Sequence, residues 1–120
     1  MNFLKLKGIH LTLAFAIIIL FLSLLPVEDS KQVFLVSDKL LHFIAYCLVV
    51  LPVSLDRVYP QLLVFTATIA FGGGVELIQP FWGREADITD LFANAAGIIF
   101  GIIIAQICII VFKTYPTYFR

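Results

Sequence analysis

Four long apolar runs, separated by short polar connections, account for most of the 120-residue chain. Pro26 ends the first run, and proline is a residue that interrupts helices. Helices of about 20 predominantly apolar residues cross the hydrocarbon layer of a membrane, so the pattern predicts an all-α, four-span transmembrane helix bundle. The four predicted spans are Ile9–Leu25, a run from Asp38 to Asp56, Gln61–Ile78, and a run that starts near Asp87 or Asp90 and ends at Phe112.

The composition supports membrane insertion and limits the size of the protein. Hydrophobic residues make up 62% of the chain and charged residues 13%, with a mean hydropathy of +1.07. A typical soluble domain carries roughly 25% charged residues. The length suits a single domain, residues 1–120. Formal net charge is zero and no basic run stands out, so we expect the lipid bilayer as a partner and no nucleic acid, while the oligomeric state stays open.

Small residues recur at every fourth position along the fourth span. Residues spaced by four are neighbours on a helix surface, so these side chains form one continuous ridge. Such a ridge lets a second membrane helix approach backbone to backbone. We therefore predict a helix-packing surface formed by Ala93, Gly97, Gly101 and Ala105. The glycine triplet 72–74 in the third span predicts a similar close approach.

Polar residues gather at one end of the predicted bundle. Because the spans alternate in direction, the second and fourth spans start at the membrane surface where the third span ends. Polar groups near hydrocarbon are costly, so they usually face the bundle interior and mark candidate functional sites. The candidate ligand-binding residues at this end are Asp38, Lys39, His42, Tyr46, Glu76, Gln79, Arg84, Asp87, Asp90 and Asn94.

Helical spacing brings these candidates to a common depth. Three or four residues separate neighbouring members of three sets, which places each set on one helix face. The sets are Asp38, His42 and Tyr46, then Glu76 and Gln79, then Asp90 and Asn94. At about 1.5 Å per residue, His42 lies about 6 Å inside the second span from Asp38, and Asn94 lies at the same depth from Asp90. We therefore expect three helices to contribute to one polar site.

The distribution of basic residues favours one orientation of the bundle. Five of them lie on the side of the termini and of the 56–60 turn, whereas three lie on the side of the polar site. Basic residues are enriched on the cytoplasmic side of membrane proteins, so we predict that both termini are cytoplasmic. The first group is Lys5, Lys7, Arg57, Lys113 and Arg120, and the second is Lys31, Lys39 and Arg84.

Three short motifs occur in order at the ends of successive spans. They are D-K-x-x-H-x-x-x-Y at residues 38–46, E-x-x-Q at residues 76–79, and G-R-x-x-D-x-x-D-x-x-x-N-x-x-G-x-x-x-G at residues 83–101. With these motifs the chain resembles the VanZ-like family of small bacterial membrane proteins over about residues 38–101. The resemblance implies a multi-pass protein of the bacterial cytoplasmic membrane. The family is named for a member linked to low-level resistance to the glycopeptide teicoplanin, which implies a role in the cell envelope and in antibiotic resistance.

Three functions are compatible with the polar residues. A binding site would hold a lipid headgroup or a lipid-linked cell-envelope precursor, with Arg84 contacting its phosphate or carboxylate. A membrane-embedded enzyme would modify such a substrate by acid/base or metal-assisted chemistry. A structural network would only tie the helices together through hydrogen bonds. The candidate catalytic residues are His42, Glu76, Asp87 and Asp90.

No motif in the sequence assigns a cofactor or a metal. The chain has no HExxH, no GxSxG and no paired cysteine ligands, so no metal site is predicted, and cofactor and catalytic role stay unknown. Cys47 and Cys108 lie in different spans, at depths that differ by about 13 Å at the rise of an α-helix. A disulfide between them is therefore not expected.

Overall fold

A computed structural model of the chain describes residues 3–25, 38–83 and 86–112. No strand occurs within these ranges, and the predicted all-α fold with four helical segments is confirmed. A short 3-10 helix, Gln79–Trp82, follows the third α-helix. The α-helices are α1 (Phe3–Leu24), α2 (Asp38–Asp56), α3 (Gln61–Ile78) and α4 (Ile88–Val111).

Three helical segments of the described chain are long and apolar enough to cross a membrane. They are Asp38–Asp56, Gln61–Trp82 and Ile88–Val111. The apolar part of α1 is shorter, Gly8–Leu24. The helix itself begins at Phe3, before the predicted start of the span at Ile9. The apolar run thus marks the part of α1 suited to hydrocarbon and not the first residue of the helix.

The small-residue ridge of α4 packs against α2, and these two helices form the largest interface in the bundle. A Cβ atom built on Gly97 would collide with the carbonyl oxygen of Phe43. One built on Gly101 would lie 2.8 Å from the carbonyl oxygen of Cys47. The two backbones therefore touch along this face. Of the four ridge residues, Gly97, Gly101 and Ala105 are buried and Ala93 is half-buried.

The glycine triplet of α3 approaches its neighbours at one position. A Cβ atom on Gly72 would lie 2.9 Å from the Asn94 amide nitrogen and 3.3 Å from the ring of Tyr46. Nothing lies within 4 Å of a Cβ atom on Gly73 or Gly74. The close approach predicted for the triplet therefore holds for Gly72 alone.

A buried carboxylate joins α1 to the end of α2 that lies opposite the predicted polar site. Asp56 is 3% exposed and accepts a hydrogen bond of 2.7 Å from the Gly8 N–H group. A Cβ atom on Gly8 would collide with this carboxylate, so a glycine is required for the contact. Sequence reasoning missed this pair.

A threonine of α1 supports α2 beside its internal proline, Pro52. The Thr12 hydroxyl donates a hydrogen bond of 2.7 Å to the Val49 carbonyl and accepts one of 3.1 Å from the Val53 N–H group. These two backbone groups are four residues apart, the spacing of a regular helical hydrogen bond. The hydroxyl therefore satisfies the backbone where proline disturbs the helix.

An apolar cavity of about 300 Å³ lies between α1, α2 and α3. Its lining is aliphatic and aromatic apart from Thr12 and Thr68, and it includes Leu13, Val53 and Phe71. None of the nine polar candidates that the structure describes lines this cavity. Both cysteines of the chain are free.

Candidate functional site

The first turns of α2 and α4 meet at one end of the bundle, and Asp87 is the N-cap residue of α4. Its carboxylate oxygen Oδ1 accepts hydrogen bonds from the Thr89 N–H group at 3.0 Å and from the Thr89 hydroxyl at 2.7 Å. Such a cap satisfies amide groups that a helix start leaves free. The spacing Asp-x-Thr could have identified Thr89 in the sequence, but sequence reasoning missed it.

Lys39 links α2 to the start of α4 through two carboxylates. Its Nζ atom lies 2.6 Å from Asp90 Oδ1 and 3.0 Å from Asp87 Oδ2. The Asp90 side chain is 7% exposed, whereas those of Lys39 and Asp87 are 43% and 48% exposed. The hydrogen bonds from Thr89, followed by that from Lys39, lower the pKa of Asp87 to about 2. Asp87 is therefore ionised at neutral pH.

His42 lies one turn deeper and contacts both helices. Its Nδ1 atom is 2.9 Å from the Asn94 amide oxygen, and Asn94 is 1% exposed. An amide oxygen only accepts hydrogen bonds, so Nδ1 carries the proton in this contact. The other ring nitrogen, Nε2, lies 3.6 Å from Asp38 Oδ2 and 3.6 Å from Asp90 Oδ2. These distances are too long for hydrogen bonds.

Glu76 reaches the same region from the end of α3. It is 8% exposed, and its Oε1 atom accepts a hydrogen bond of 3.1 Å from the Asp87 N–H group. Its second oxygen, Oε2, is buried and has no hydrogen-bond partner among the described residues. A buried polar atom without a partner is uncommon and requires an explanation, such as a ligand, an ion or a water molecule.

Together these side chains form what we call the polar cluster. Its described members carry four carboxylates and one ammonium group, so negative charge is in excess when His42 is neutral. One oxygen each of Asp38 and Asp90 and one nitrogen of His42 lie within 4.8 Å of one another, which makes these three residues the group that could hold a metal ion. The polar cluster consists of Asp38, Lys39, His42, Glu76, Asp87, Asp90 and Asn94.

Two of the three remaining candidates lie outside the polar cluster. Tyr46 is 2% exposed and packs beside Gly72, one turn below His42 on α2. Gln79 is buried, and its Nε2 atom donates a hydrogen bond of 3.0 Å to the Ser23 carbonyl of α1. Arg84 lies outside the residues that the structure describes.

Comparison with known proteins identifies the family. A family model described as VanZ/LLP1 matches residues 3–111, which include all four helices. The chain belongs to the VanZ/LLP1 family. The VanZ/LLP1 match therefore extends beyond the motif-bearing residues 38–101 and takes in α1. No curated protein and no solved structure matches the chain.

Proposed function

We propose that this VanZ/LLP1 membrane protein binds, at its polar cluster, the headgroup of a phospholipid or of a lipid-linked cell-envelope precursor. The observation that carries the proposal is the environment of Lys39. Its ammonium group is held between Asp87 and Asp90, yet 43% of its side chain remains exposed. A charge fixed in position and still accessible suits recognition of a phosphate group.

The surroundings of the polar cluster suit an amphiphilic ligand. Residues that follow Glu76, Asp87 and Asp90 within two positions, together with two residues of the 3-10 helix, present large apolar side chains to the outside of the bundle. Trp side chains, such as that of Trp82, commonly lie at the level of lipid headgroups. A ligand with a polar head and an apolar tail would therefore find both parts matched. The exposed side chains are Leu77, Phe81, Trp82, Ile88 and Phe92, from 57% to 85% exposed.

A purely structural network explains the polar cluster less well. Hydrogen bonds between membrane helices contribute about 0.6 kcal/mol on average, whereas ionisable groups carry a burial penalty. Glu76 Oε2 incurs burial without gaining a partner. A bound ligand would give this oxygen a partner, whereas a network that only packs the helices leaves it without one.

Catalysis on the bound headgroup is a second candidate, and His42 is the observation that favours it. With the proton on Nδ1, its Nε2 atom is free to accept a proton from a water molecule or a hydroxyl group. Turnover of a labelled lipid precursor by the purified protein would establish this activity. Binding without turnover would leave the headgroup-binding function alone.

We also propose that the polar cluster faces the outer side of the bacterial cytoplasmic membrane, with both termini inside. The excess of basic residues on the terminal side supports this orientation. A reporter that is active only outside the cytoplasm, fused after Arg120, is expected to be silent. A strong signal would reverse the orientation and leave the composition of the polar cluster unchanged.

The binding function is tested by native mass spectrometry of the full-length protein with defined phospholipids and lipid-linked precursors. His42→Ala, Asp90→Asn and Arg84→Ala are each expected to lose the bound lipid. In cells, they should also lose any effect that the wild-type protein has on teicoplanin susceptibility. Their abundance in the membrane should stay close to wild type, and double variants should be no worse than single ones, because residues of one site act as a unit. His10→Ala is the control.

A binding site and a structural scaffold predict different relations between the abundance of a variant in the membrane and its phenotype. If abundance falls in proportion to the phenotype, the polar cluster is a scaffold and the binding function is wrong. His10 is exposed on α1, away from the polar cluster in sequence, so its variant controls for the loss of a histidine as such.

A further inference from the structure

The space between His42 Nε2 and the carboxylates of Asp38 and Asp90 has the properties of an ion site. We propose that these three residues bind a divalent transition-metal ion, with Zn²⁺ as the best fit. That the ion also assists headgroup binding rests on the proposed function, whereas the ion site itself does not.

The distances fit a shared ion better than direct contacts. Nε2 lies 3.6 Å from Asp38 Oδ2 and 3.6 Å from Asp90 Oδ2. Nitrogen and oxygen ligands bind Zn²⁺ at about 2.0–2.2 Å, so two ligands of a tetrahedral ion lie about 3.3–3.6 Å apart. Both carboxylate oxygens therefore lie at the distance from Nε2 that a common ion would impose, and the three ligand atoms are within 4.8 Å of one another. Neither oxygen is close enough to Nε2 for a hydrogen bond.

The histidine is in the tautomer that a metal ligand requires. Because Nδ1 donates its proton to the Asn94 amide oxygen, a neutral His42 presents the lone pair of Nε2. Histidine ligands in proteins generally donate their other N–H group in this way, which orients the ring. A lone pair that faces two carboxylate oxygens is repelled by both of them. A cation in the space converts this repulsion into attraction.

Glu76 provides independent support from a third helix. Among the described residues its Oε2 atom is buried without a hydrogen-bond partner, and the residue is 8% exposed. Its other oxygen is held by the Asp87 N–H group at 3.1 Å, and the carboxylate is close enough to Asp90 to interact with it electrostatically. A metal ion, or a water molecule bound to one, would give this oxygen a partner.

Lys39 does not occupy the oxygen that the ion needs. Its ammonium group contacts Asp90 Oδ1, whereas Asp90 Oδ2 is the atom that faces His42. The described cluster also carries more carboxylates than the single ammonium group of Lys39 can neutralise. A divalent ion neutralises part of this charge and, with three protein ligands, keeps a coordination position open for a phosphate oxygen.

The ligand set also selects the type of metal. Imidazole nitrogen suits Zn²⁺ and other transition metals, whereas Mg²⁺ and Ca²⁺ prefer oxygen ligands alone. One imidazole and two carboxylates therefore favour Zn²⁺ over Mg²⁺.

Isothermal titration of the full-length protein in detergent, after removal of metals with a chelator, tests the site. We expect saturable binding of Zn²⁺ at one ion per chain and no comparable binding of Mg²⁺. His42→Ala and Asp38→Asn should each weaken Zn²⁺ binding by at least about 10-fold, and His10→Ala should leave it unchanged. Unchanged Zn²⁺ affinity in His42→Ala, or a doubly protonated His42 in NMR spectra of a protein that binds no Zn²⁺, would overturn the proposal.

A variant with the opposite expected sign guards against simple misfolding. Lys39→Met removes a positive charge beside Asp90, so Zn²⁺ should bind more tightly, whereas damage to the fold would weaken binding. Weaker binding in a Lys39→Met protein whose helix content by circular dichroism matches wild type would contradict the site. Headgroup binding that is equal with and without chelator would remove the role of the ion and keep the binding function. Zn²⁺ binding without any headgroup binding would keep the ion site and remove the binding function.

Discussion

The backbone of Gly97 lies directly against the carbonyl group of Phe43, where α4 packs on α2. A Cβ atom at residue 97 would collide with the Phe43 carbonyl oxygen and lie 3.1 Å from the Phe43 Cα atom. Both are backbone atoms, so no rotation of a side chain relieves the contact. Because α2 and α4 also carry the polar cluster, this contact fixes the spacing between Lys39 and Asp90.

Gly97→Ala is therefore expected to destabilise the protein. Overpacking of a tight contact costs about 1–3 kcal/mol, which should lower the midpoint of thermal unfolding in detergent, followed by circular dichroism. Gly73→Ala is the matched control because nothing lies within 4 Å of its added Cβ atom. It should be neutral or stabilising by up to about 1 kcal/mol, the difference in helix propensity between alanine and glycine. Equal midpoints for the two variants would show that α4 does not pack on α2 through Gly97.

The helices and the gathering of polar residues could be predicted from the sequence because both follow from one-dimensional patterns. The apolar run of the third span gives the bounds of α3, Gln61–Ile78, as the structure has them. Alternation of the spans suffices to bring the starts of α2 and α4 together. The residue pairs within the polar cluster depend on side-chain direction and could not be predicted.

Gln79 shows why a spacing rule fails at the end of a helix. In a continuous α-helix, Gln79 would share a face with Glu76, three residues before it. Its backbone N–H group still bonds the Val75 carbonyl, as in a continuous α-helix. A shared face fixes the direction of the Cα–Cβ bond but not that of a long side chain, and the Gln79 amide reaches the Ser23 carbonyl on α1. Gly8 and Asp56 were missed for a different reason, because 48 residues separate them and no local pattern connects them.

The position of Gln79 predicts that it does not contribute to ligand binding. Gln79→Leu should leave the affinity for the bound headgroup within about 2-fold of wild type, whereas His42→Ala should abolish binding. The reason is that Gln79 Nε2 bonds the Ser23 carbonyl, while His42 lies between Asp38 and Asp90. Native mass spectrometry of both variants with the same lipid gives the comparison. A loss of binding in Gln79→Leu as large as that in His42→Ala would show that Gln79 does contribute to ligand binding.

The Thr12 hydroxyl is expected to stabilise α2 beside Pro52. Thr12→Val keeps the shape of the side chain but removes the hydrogen bonds to Val49 and Val53, at a cost of about 1 kcal/mol. Thr66→Val is the matched control, since the Thr66 hydroxyl is exposed and bonds only to its own helix. Thermal unfolding in detergent should separate the two variants. If both unfold at the same temperature, the Thr12 hydroxyl does not support the helix.

The ion pair between Lys39 and Asp90 predicts a specific pattern in a double-mutant cycle. Asp90 is 7% exposed on its side chain, so Lys39→Met leaves a nearly buried carboxylate without its ammonium partner. Removing one partner of such a pair generally costs more than replacing both, because the remaining charge stays desolvated. Lys39→Met should therefore lower the unfolding midpoint, and adding Asp90→Asn should restore part of the loss.

Lys39→Arg is the conservative control for this cycle. An arginine keeps the positive charge, so it should retain most of the stability even if the bonding geometry changes. All unfolding measurements are made without added metal, because Zn²⁺ bound at Asp90 would compensate for the missing ammonium group. If the effects of Lys39→Met and Asp90→Asn simply add, the two side chains are not coupled, and the contact of 2.6 Å contributes nothing to the association of α2 with α4.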